Sequence, residues 1–230
     1  MSTFLLVHGA FRGGWSWARV RPLLVAAGHD VLAPSLAGCG ERSAYADRVT
    51  GLATWVDELA GLLHHEDLHD VVAVGHSQGG IVTTALAAHV PERIGHLVYL
   101  DAPAPLPGER AVDLGASGFE LPARDTLVPP RPLEAVGDLD DATAAWLNAR
   151  LTATPFAPSL DPMPAGGESV ARTYSFCGLT PPGYPSGTTR DRLDAEGKAY
   201  AVLDAGHDAP LTAPGLVADL LLNVLVGARP

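Results

Sequence analysis

Short apolar segments alternate with helix-like segments along most of the chain, and this alternation limits the fold more than any other feature. The apolar segments are Phe4–Val7, Val31–Ala33, Val71–Val74, His96–Leu100, Thr173–Cys177 and Ala199–Leu203. They are almost free of polar residues, as are strands of a parallel sheet covered on both faces. The helix-like segments, with apolar residues at helical spacing, are Trp15–Ala27, Gly51–His64, Gly80–His89 and Pro214–Val226. The pattern predicts an α/β fold with a mostly parallel sheet of about six strands flanked by helices.

Proline is concentrated in one part of the chain. Fourteen of the 20 prolines lie between Pro103 and Pro185. Within this part only Asp138–Leu151 has a clear helix signal, with acidic residues that suit a helix N-terminus. Long loop-rich stretches between two strands usually serve a function. We therefore expect a single domain over 1–230, in which about 104–170 form a cap above the carboxyl edge of the sheet.

Composition excludes several function classes. The chain has 230 residues, is 47% hydrophobic and carries a net charge of −11, so it can bury a core and would repel nucleic acid. Its two cysteines, Cys39 and Cys177, have no metal-binding spacing. No signal peptide or membrane-spanning segment is apparent. We expect a cytoplasmic protein with a small-molecule substrate, no metal or cofactor and no membrane or nucleic-acid partner, and we allow for a homodimer.

The strongest catalytic signal is Gly75-His76-Ser77-Gln78-Gly79. This G-x-S-x-G pattern follows an apolar strand and precedes a helix-like segment, which is the setting of a nucleophile elbow. In such an elbow a strained turn exposes the serine Oγ at the edge of the sheet. The context predicts that Ser77 is a nucleophile.

A serine nucleophile needs a base, because its hydroxyl is protonated at neutral pH. Three histidines follow Ser77 in the chain. His89 lies about 15 Å away along the helix, and His96 enters a strand at the opposite edge of the sheet. His207 follows the last strand at the carboxyl edge, so elimination selects it as the base.

An oxyanion hole in this setting combines two backbone N–H groups. One belongs to the residue after the serine, Gln78, which opens a helix and so has an unpaired N–H. The other comes from the loop after the first strand, His8-Gly9-Ala10-Phe11.

With these motifs the chain resembles the α/β-hydrolase superfamily and, within it, the plant methyl-esterase and hydroxynitrile-lyase family with its bacterial esterase relatives. The resemblance is carried by the segment 4–17 (FLLVHGAFRGGWSW), by 21–29 and by Gly206–Pro210 (GHDAP). It covers both ends well and the proline-rich middle poorly. It implies Ala10 as the first oxyanion donor. The family's lyases have a threonine in place of Gly9 and a lysine in place of Asp208, so their absence favours the ester-cleaving branch.

The acid that orients His207 is less defined by the sequence. The family pattern places an aspartate just after the penultimate strand, but here no carboxylate follows that strand until Asp191. Asp101 directly follows the strand at His96–Leu100, where some α/β-hydrolases carry their acid, and it is the better candidate. A displaced Asp191 or Asp194, and the absence of any acid, remain alternatives.

Aromatic residues near the predicted site suggest the kind of substrate. Phe11 lies in the oxyanion loop, and Phe119, Trp146 and Phe156 lie in the predicted cap; we expect Phe11, Trp146 and Phe156 to line the pocket. The predicted function is therefore a serine hydrolase that cleaves a small apolar or aromatic carboxylic ester through an acyl-enzyme. One alternative is a non-hydrolytic or lactone- or thioester-processing enzyme of secondary metabolism, such as a cyclase or a thioesterase. A non-catalytic small-molecule binding protein is the other.

Overall fold

A central sheet of six parallel strands organises the computed structural model, which describes residues 1–115 and 120–227. The strands of this sheet are β1 (Thr3–Val7), β2 (Asp30–Leu32), β3 (Val71–His76), β4 (Ile94–Leu100), β7 (Ala171–Cys177) and β8 (Ala201–Leu203). Their order across the sheet is β2-β1-β3-β4-β7-β8. Two short strands, β5 (Leu127–Val128) and β6 (Thr154–Pro155), form a separate antiparallel ribbon.

Seven α-helices accompany the strands in the described residues. They are α1 (Arg21–Ala26), α2 (Leu52–His65), α3 (Gly79–His89), α4 (Asp141–Asn148), α5 (Ser186–Ala195), α6 (Ala209–Thr212) and α7 (Pro214–Gly227). Short 3-10 helices occupy Gly14–Trp17, Gly40–Arg48, Pro91–Arg93, Ala111–Asp113 and Ala157–Leu160.

The six predicted sheet strands are all present, and their ends differ from the predicted ones by at most two residues. Their apolar runs have a physical reason, because helices cover the sheet on both faces. Leu24 of α1 and Leu221 of α7 pack in one core beneath the sheet. Trp55 of α2 and Leu86 of α3 pack in the core on the other face.

The prediction of one helix over Trp15–Ala27 is wrong. The chain forms a 3-10 turn at Gly14–Trp17 and then restarts as α1 at Arg21. Pro22 explains the restart: it lacks an N–H group and clashes with the preceding turn inside a helix, but it is well suited to a first turn.

The proline-rich part of the chain between β4 and β7 contains little regular structure. Within the predicted interval 104–170, the β5–β6 ribbon and α4 are its main elements. Helix α4 begins where the carboxylate of Asp140 accepts a hydrogen bond from the Thr143 N–H at 2.6 Å, which is an N-cap. That this interval acts as a cap within one domain stays a prediction.

In the described part of the chain, no helix has the length and apolar character needed to cross a bilayer.

Candidate active site

The predicted site residues lie in loops that leave the carboxyl ends of the strands. Ala10 follows β1, Ser77 follows β3, Asp101 follows β4 and His207 follows β8. In a parallel sheet these ends meet at one edge, beside the point where strand order reverses. In this sheet the reversal lies between β1 and β3.

Ser77 is held in a strained turn. Its φ of 52° is in the left-handed region, which is uncommon for a residue with a side chain. The turn is so tight that a Cβ added at Gly75 would lie 2.6 Å from the Gly79 carbonyl oxygen. A Cβ at Gly9 would lie 2.8 Å from the Cβ of Ser77. The glycines around Ser77 are thus explained by the close approach of its neighbours.

A line of hydrogen bonds runs from Ser77 to Asp101 through His207. His207 Nε2 lies 2.9 Å from Ser77 Oγ, and His207 Nδ1 lies 2.7 Å from Asp101 Oδ2. Because an ionised carboxylate only accepts, the proton of a neutral His207 belongs on Nδ1. Nε2 is then free to accept the Ser77 hydroxyl proton. This is the arrangement needed to activate a serine.

Asp101 is the carboxylate that the structure places beside His207. It is 2% exposed, has a φ of 45° and also accepts a hydrogen bond from the Thr180 hydroxyl at 2.5 Å. Burial raises the pKa of Asp101, but the hydrogen bond and positive charge of His207 and the hydrogen bond of Thr180 outweigh it and hold the pKa below its usual value.

The alternative carboxylates are occupied elsewhere or lie away from the imidazole. Asp194 accepts a hydrogen bond from the Tyr200 hydroxyl at 2.8 Å. Within the described residues, neither Asp191 nor Asp194 is hydrogen-bonded to His207. The sequence left this choice open because Asp101 and His207 are 106 residues apart in the chain.

Ala10 and Gln78 lie where the predicted oxyanion donors are expected. Both line the same cavity as Ser77 and His207. In the described part of the chain, neither backbone N–H donates to another protein group. The next N–H along the loop, that of Phe11, is taken by Thr154 Oγ1 at 2.6 Å. The loop conformation therefore leaves the Ala10 N–H available to a bound oxygen atom.

A cavity of about 310 Å³ opens beside these groups. Its wall is largely apolar and includes Ile81, Pro103, Val112, Phe156 and Tyr184. Such a volume is at the small end of the range for ligand pockets. The space fits a small apolar or aromatic group next to Ser77.

Of the three predicted pocket aromatics, only Phe156 lines the cavity. Phe11 and Trp146 do not belong to its wall, and Phe119 lies outside the described residues. Trp146 packs edge-on against Trp15, with the ring centroids 5.5 Å apart, and Arg150 covers its face at 4.1 Å. These contacts belong to a separate apolar cluster, which explains why Trp146 does not form part of the cavity wall.

Sequence reasoning missed Tyr184 as a site residue. Its ring centroid lies 4.3 Å from that of His207, and burial raises the pKa of its hydroxyl. Tyr184 lies in an irregular loop between Pro182 and Pro185, where no pattern indicates which side chain faces the site.

Two further buried histidines support the site without touching the serine. His76 Nε2 donates to the backbone oxygen of His207 at 2.7 Å, and His8 Nδ1 donates to the backbone oxygen of Gly9 at 2.8 Å. Burial lowers the pKa of His76 to about 3 and that of His8 to about 4. Both are therefore neutral around pH 7, and each holds a backbone carbonyl near the site through a hydrogen bond.

Comparison with known proteins identifies the family of the chain. The family model "Alpha/beta hydrolase family" matches residues 4–220. A carbendazim hydrolyzing esterase of Nocardioides sp. is 35% identical over 191 residues, which cover 75% of this chain and 77% of that protein. Salicylic acid-binding protein 2 of Nicotiana tabacum is 38% identical over 100 residues. That match covers 43% of this chain and only 38% of the tobacco protein.

Solved structures show the same fold at lower identity. The methylesterase MES16 from Arabidopsis superposes with a TM-score of 0.81 at 24% identity, covering 98% of this chain and 99% of that one. An extracellular α/β-hydrolase from a Paenibacillus species gives a TM-score of 0.79 at 23% identity, covering 97% and 98%. The predicted α/β-hydrolase fold is confirmed. The predicted resemblance to plant methylesterases and to a bacterial esterase is also confirmed. The chain belongs to the alpha/beta hydrolase family.

Proposed function

We propose that this protein is a serine carboxylic ester hydrolase that cleaves small esters with an apolar or aromatic group through an acyl-enzyme. The observation that supports this best is the unbroken line of hydrogen bonds from Ser77 through His207 to Asp101, beside a small apolar cavity.

In the first half-reaction Ser77 Oγ attacks the acyl carbon of the ester while His207 Nε2 takes its proton. Asp101 keeps the other ring proton on Nδ1 and stabilises the imidazolium that forms. The developing oxyanion is bound by the N–H groups of Ala10 and Gln78, and the dipole of α3 adds to the second. His207 then returns the proton to the departing alkoxide, which leaves as the alcohol.

In the second half-reaction water replaces the alcohol. His207 takes a proton from that water, and the hydroxide attacks the acyl carbon of the Ser77 ester. The same two N–H groups hold the oxyanion again. Proton transfer from His207 to Ser77 Oγ then releases the carboxylic acid and restores the starting site.

The cavity supports the substrate class. Its volume of about 310 Å³ accommodates a small group, since ligand pockets range from roughly 300 to 1,000 Å³. Phe156 and Tyr184 offer aromatic faces. The net charge of −11 disfavours polyanionic substrates.

Several relatives favour hydrolysis over the other reactions that this scaffold could support. Proteins named as a carbendazim hydrolyzing esterase and as methylesterases are similar to this chain in sequence. We extend ester cleavage to this chain because it has a nucleophile, a base, an acid and two free N–H groups in the arrangement that acyl transfer requires.

The test is product analysis on phenyl acetate, phenyl butyrate and methyl benzoate in water enriched in ¹⁸O. The wild-type protein should release alcohol and free acid, with one ¹⁸O atom in the acid. Ser77→Ala should lose nearly all turnover, whereas Ser43→Ala, which removes an exposed hydroxyl, should match the wild type. Conversion without free acid, tight binding without conversion, or full activity in Ser77→Ala would each contradict the proposal.

A further inference from the structure

A buried ion pair lies next to His207 and has no part in the proposed reaction. Arg12 is 6% exposed and Asp208 is 8% exposed. Arg12 Nε and Nη2 both donate to Asp208 Oδ1, at 2.8 and 2.5 Å. Removing two charges from water is costly, so a buried pair often contributes less to stability than apolar residues would. The pair therefore invites a functional explanation.

The pair connects two loops of the site. On one side, Arg12 Nη1 donates to the backbone oxygen of Ala10 at 3.0 Å. On the other side, Asp208 directly follows His207, and its own carbonyl accepts the Leu211 N–H at 2.7 Å at the start of α6. One guanidinium thus joins the loop with the first proposed oxyanion donor to the loop with the proposed base.

Other hydrogen bonds of the two loops run to different parts of the chain. His76 holds the His207 carbonyl, Asp101 holds Nδ1, and Thr154 holds the Phe11 N–H. None of them joins the Ala10 loop directly to the His207 loop. In the described residues, Arg12 makes that connection through its three nitrogen atoms.

We propose that Arg12 and Asp208 are positioning residues, which fix the Ala10 N–H relative to the His207 imidazole and keep the charge beside that imidazole balanced. This inference rests on the proposed function, because it assigns the pair a role in the same acyl transfer. A small displacement of either group weakens the transition state more than the bound ester, so the loss falls on kcat rather than KM.

Removing one charge of the pair should shift the titration midpoint of His207, and the direction depends on which charge is removed. Without Asp208, the positive charge of Arg12 opposes the imidazolium form of His207. Without Arg12, the negative charge of Asp208 favours it. Other titratable or charged groups near His207 and in its loop include Asp101, His76, Tyr184, Asp138 and Asp204. They are the same in every variant, so they cancel in the comparison.

The experiment measures both geometry and charge. The titration midpoint of His207 is followed by NMR in the protein without substrate, and kcat and KM are measured on phenyl acetate. Asp208→Asn should move the midpoint, and the acid limb of kcat/KM, to lower pH, and Arg12→Met should move both to higher pH, each by about one pH unit. Each variant should lose roughly 10²-fold in kcat with little change in KM.

Two further variants separate charge from geometry. Arg12→Lys keeps the charge but not the planar fork, so its midpoint should stay near the wild-type value while kcat remains low. The double variant Arg12→Met/Asp208→Asn removes both charges and should return the midpoint. Lys198→Met, which breaks the exposed pair with Glu196, is the control and should leave both readouts unchanged.

Unequal folding is controlled by expressing kcat per mole of protein that an aryl fluorophosphonate labels once the labelling reaction has run to completion. If Arg12→Met does not fold, Arg12→Lys and Asp208→Asn carry the test. A His207 midpoint that stays at the wild-type value in both Asp208→Asn and Arg12→Met, or that moves in the same direction in both, would contradict the inference. The NMR titration needs no substrate. A wild-type protein without ester turnover would therefore contradict the proposed function, but the effect of the pair on the His207 midpoint would still be measured.

Discussion

The loops at the strand ends and the proline-rich interval 104–170 contribute to the same cavity but are held in different ways. The strand-end residues continue the hydrogen bonding of the sheet: Ser77 N–H donates to Leu100 at 3.2 Å and Asp101 N–H donates to Ser175 at 2.7 Å. The interval reaches the elbow through a side-chain hydrogen bond from Gln78 to Ser159 at 3.2 Å. Hydrogen bonds to the sheet hold Ser77 and Asp101 in place, and the irregular interval supplies part of the cavity wall, including Val112 and Phe156. We propose that this part of the wall contributes to substrate selection. Substitutions in the first region should therefore abolish chemistry, and those in the second should change selectivity.

Ser77→Ala is expected to have the largest effect. Removal of the nucleophile should lower kcat by roughly 10⁴- to 10⁶-fold, because neither His207 nor the N–H groups can form an acyl-enzyme without it. The measurement is steady-state hydrolysis of phenyl acetate, with Ser43→Ala as the matched control. A loss of kcat below tenfold in Ser77→Ala would show that the reaction does not depend on the loop that carries Ser77.

Asp101→Asn should be the next largest. The amide cannot hold His207 in the required tautomer or stabilise the imidazolium, so kcat should fall by roughly 10³- to 10⁴-fold. Asp194→Asn changes a carboxylate that accepts a hydrogen bond from the Tyr200 hydroxyl, and it should leave kcat near the wild-type value. A larger loss of kcat in Asp194→Asn than in Asp101→Asn would show that Asp101 is not the acid.

Phe156→Ala tests the second region. The substitution removes an aromatic ring from the wall and so enlarges the cavity. The kcat/KM for phenyl butyrate should therefore change by about tenfold relative to that for phenyl acetate. Trp146→Ala removes an aromatic side chain that does not line the cavity, so the ratio between the two esters should be retained. If the ratio of kcat/KM for the two esters changed equally in Phe156→Ala and Trp146→Ala, the assignment of Phe156 to the cavity wall and of Trp146 to a separate packing cluster would be contradicted.

The smallest expected effect concerns stability in acid. The folded-state pKa of Asp101 is lowered, so the contribution of its carboxylate is complete above its unfolded pKa and is lost as pH falls through the folded value. The free energy of unfolding, measured in urea between pH 7 and 3, should fall more steeply for the wild type than for Asp101→Asn. The difference corresponds to uptake of at most about one proton. Parallel curves would show that folding does not depend on ionisation of Asp101.

The same comparison explains what could be predicted from the sequence. Ser77 and His207 follow apolar strands directly or within a few residues, so strand recognition placed both at one edge of the sheet. Phe156 and Tyr184 lie in segments without periodicity, and their approach to the site depends on packing between distant parts of the chain. Trp146 was predicted in the pocket because it is aromatic, but aromatic character does not distinguish a pocket wall from a packing cluster.

Asp101 and Arg12 show an intermediate case. Asp101 was the better candidate because it follows a strand, but only the fold shows that it meets His207 and that Asp194 does not. The pairing of Arg12 with Asp208 spans 196 residues and left no local pattern. Long-range polar pairs of this kind depend on the assembled sheet edge.

The most direct test of the central claim is intact mass spectrometry after brief exposure to a small aryl fluorophosphonate. The wild type, Ser77→Ala, Asp101→Asn and Asp194→Asn are compared at neutral pH. We expect one phosphonyl adduct on the wild type and on Asp194→Asn, none on Ser77→Ala and slow formation on Asp101→Asn. An unlabelled wild-type protein, or an adduct that persists in Ser77→Ala, would contradict the claim that Ser77 is a nucleophile activated by His207 and Asp101.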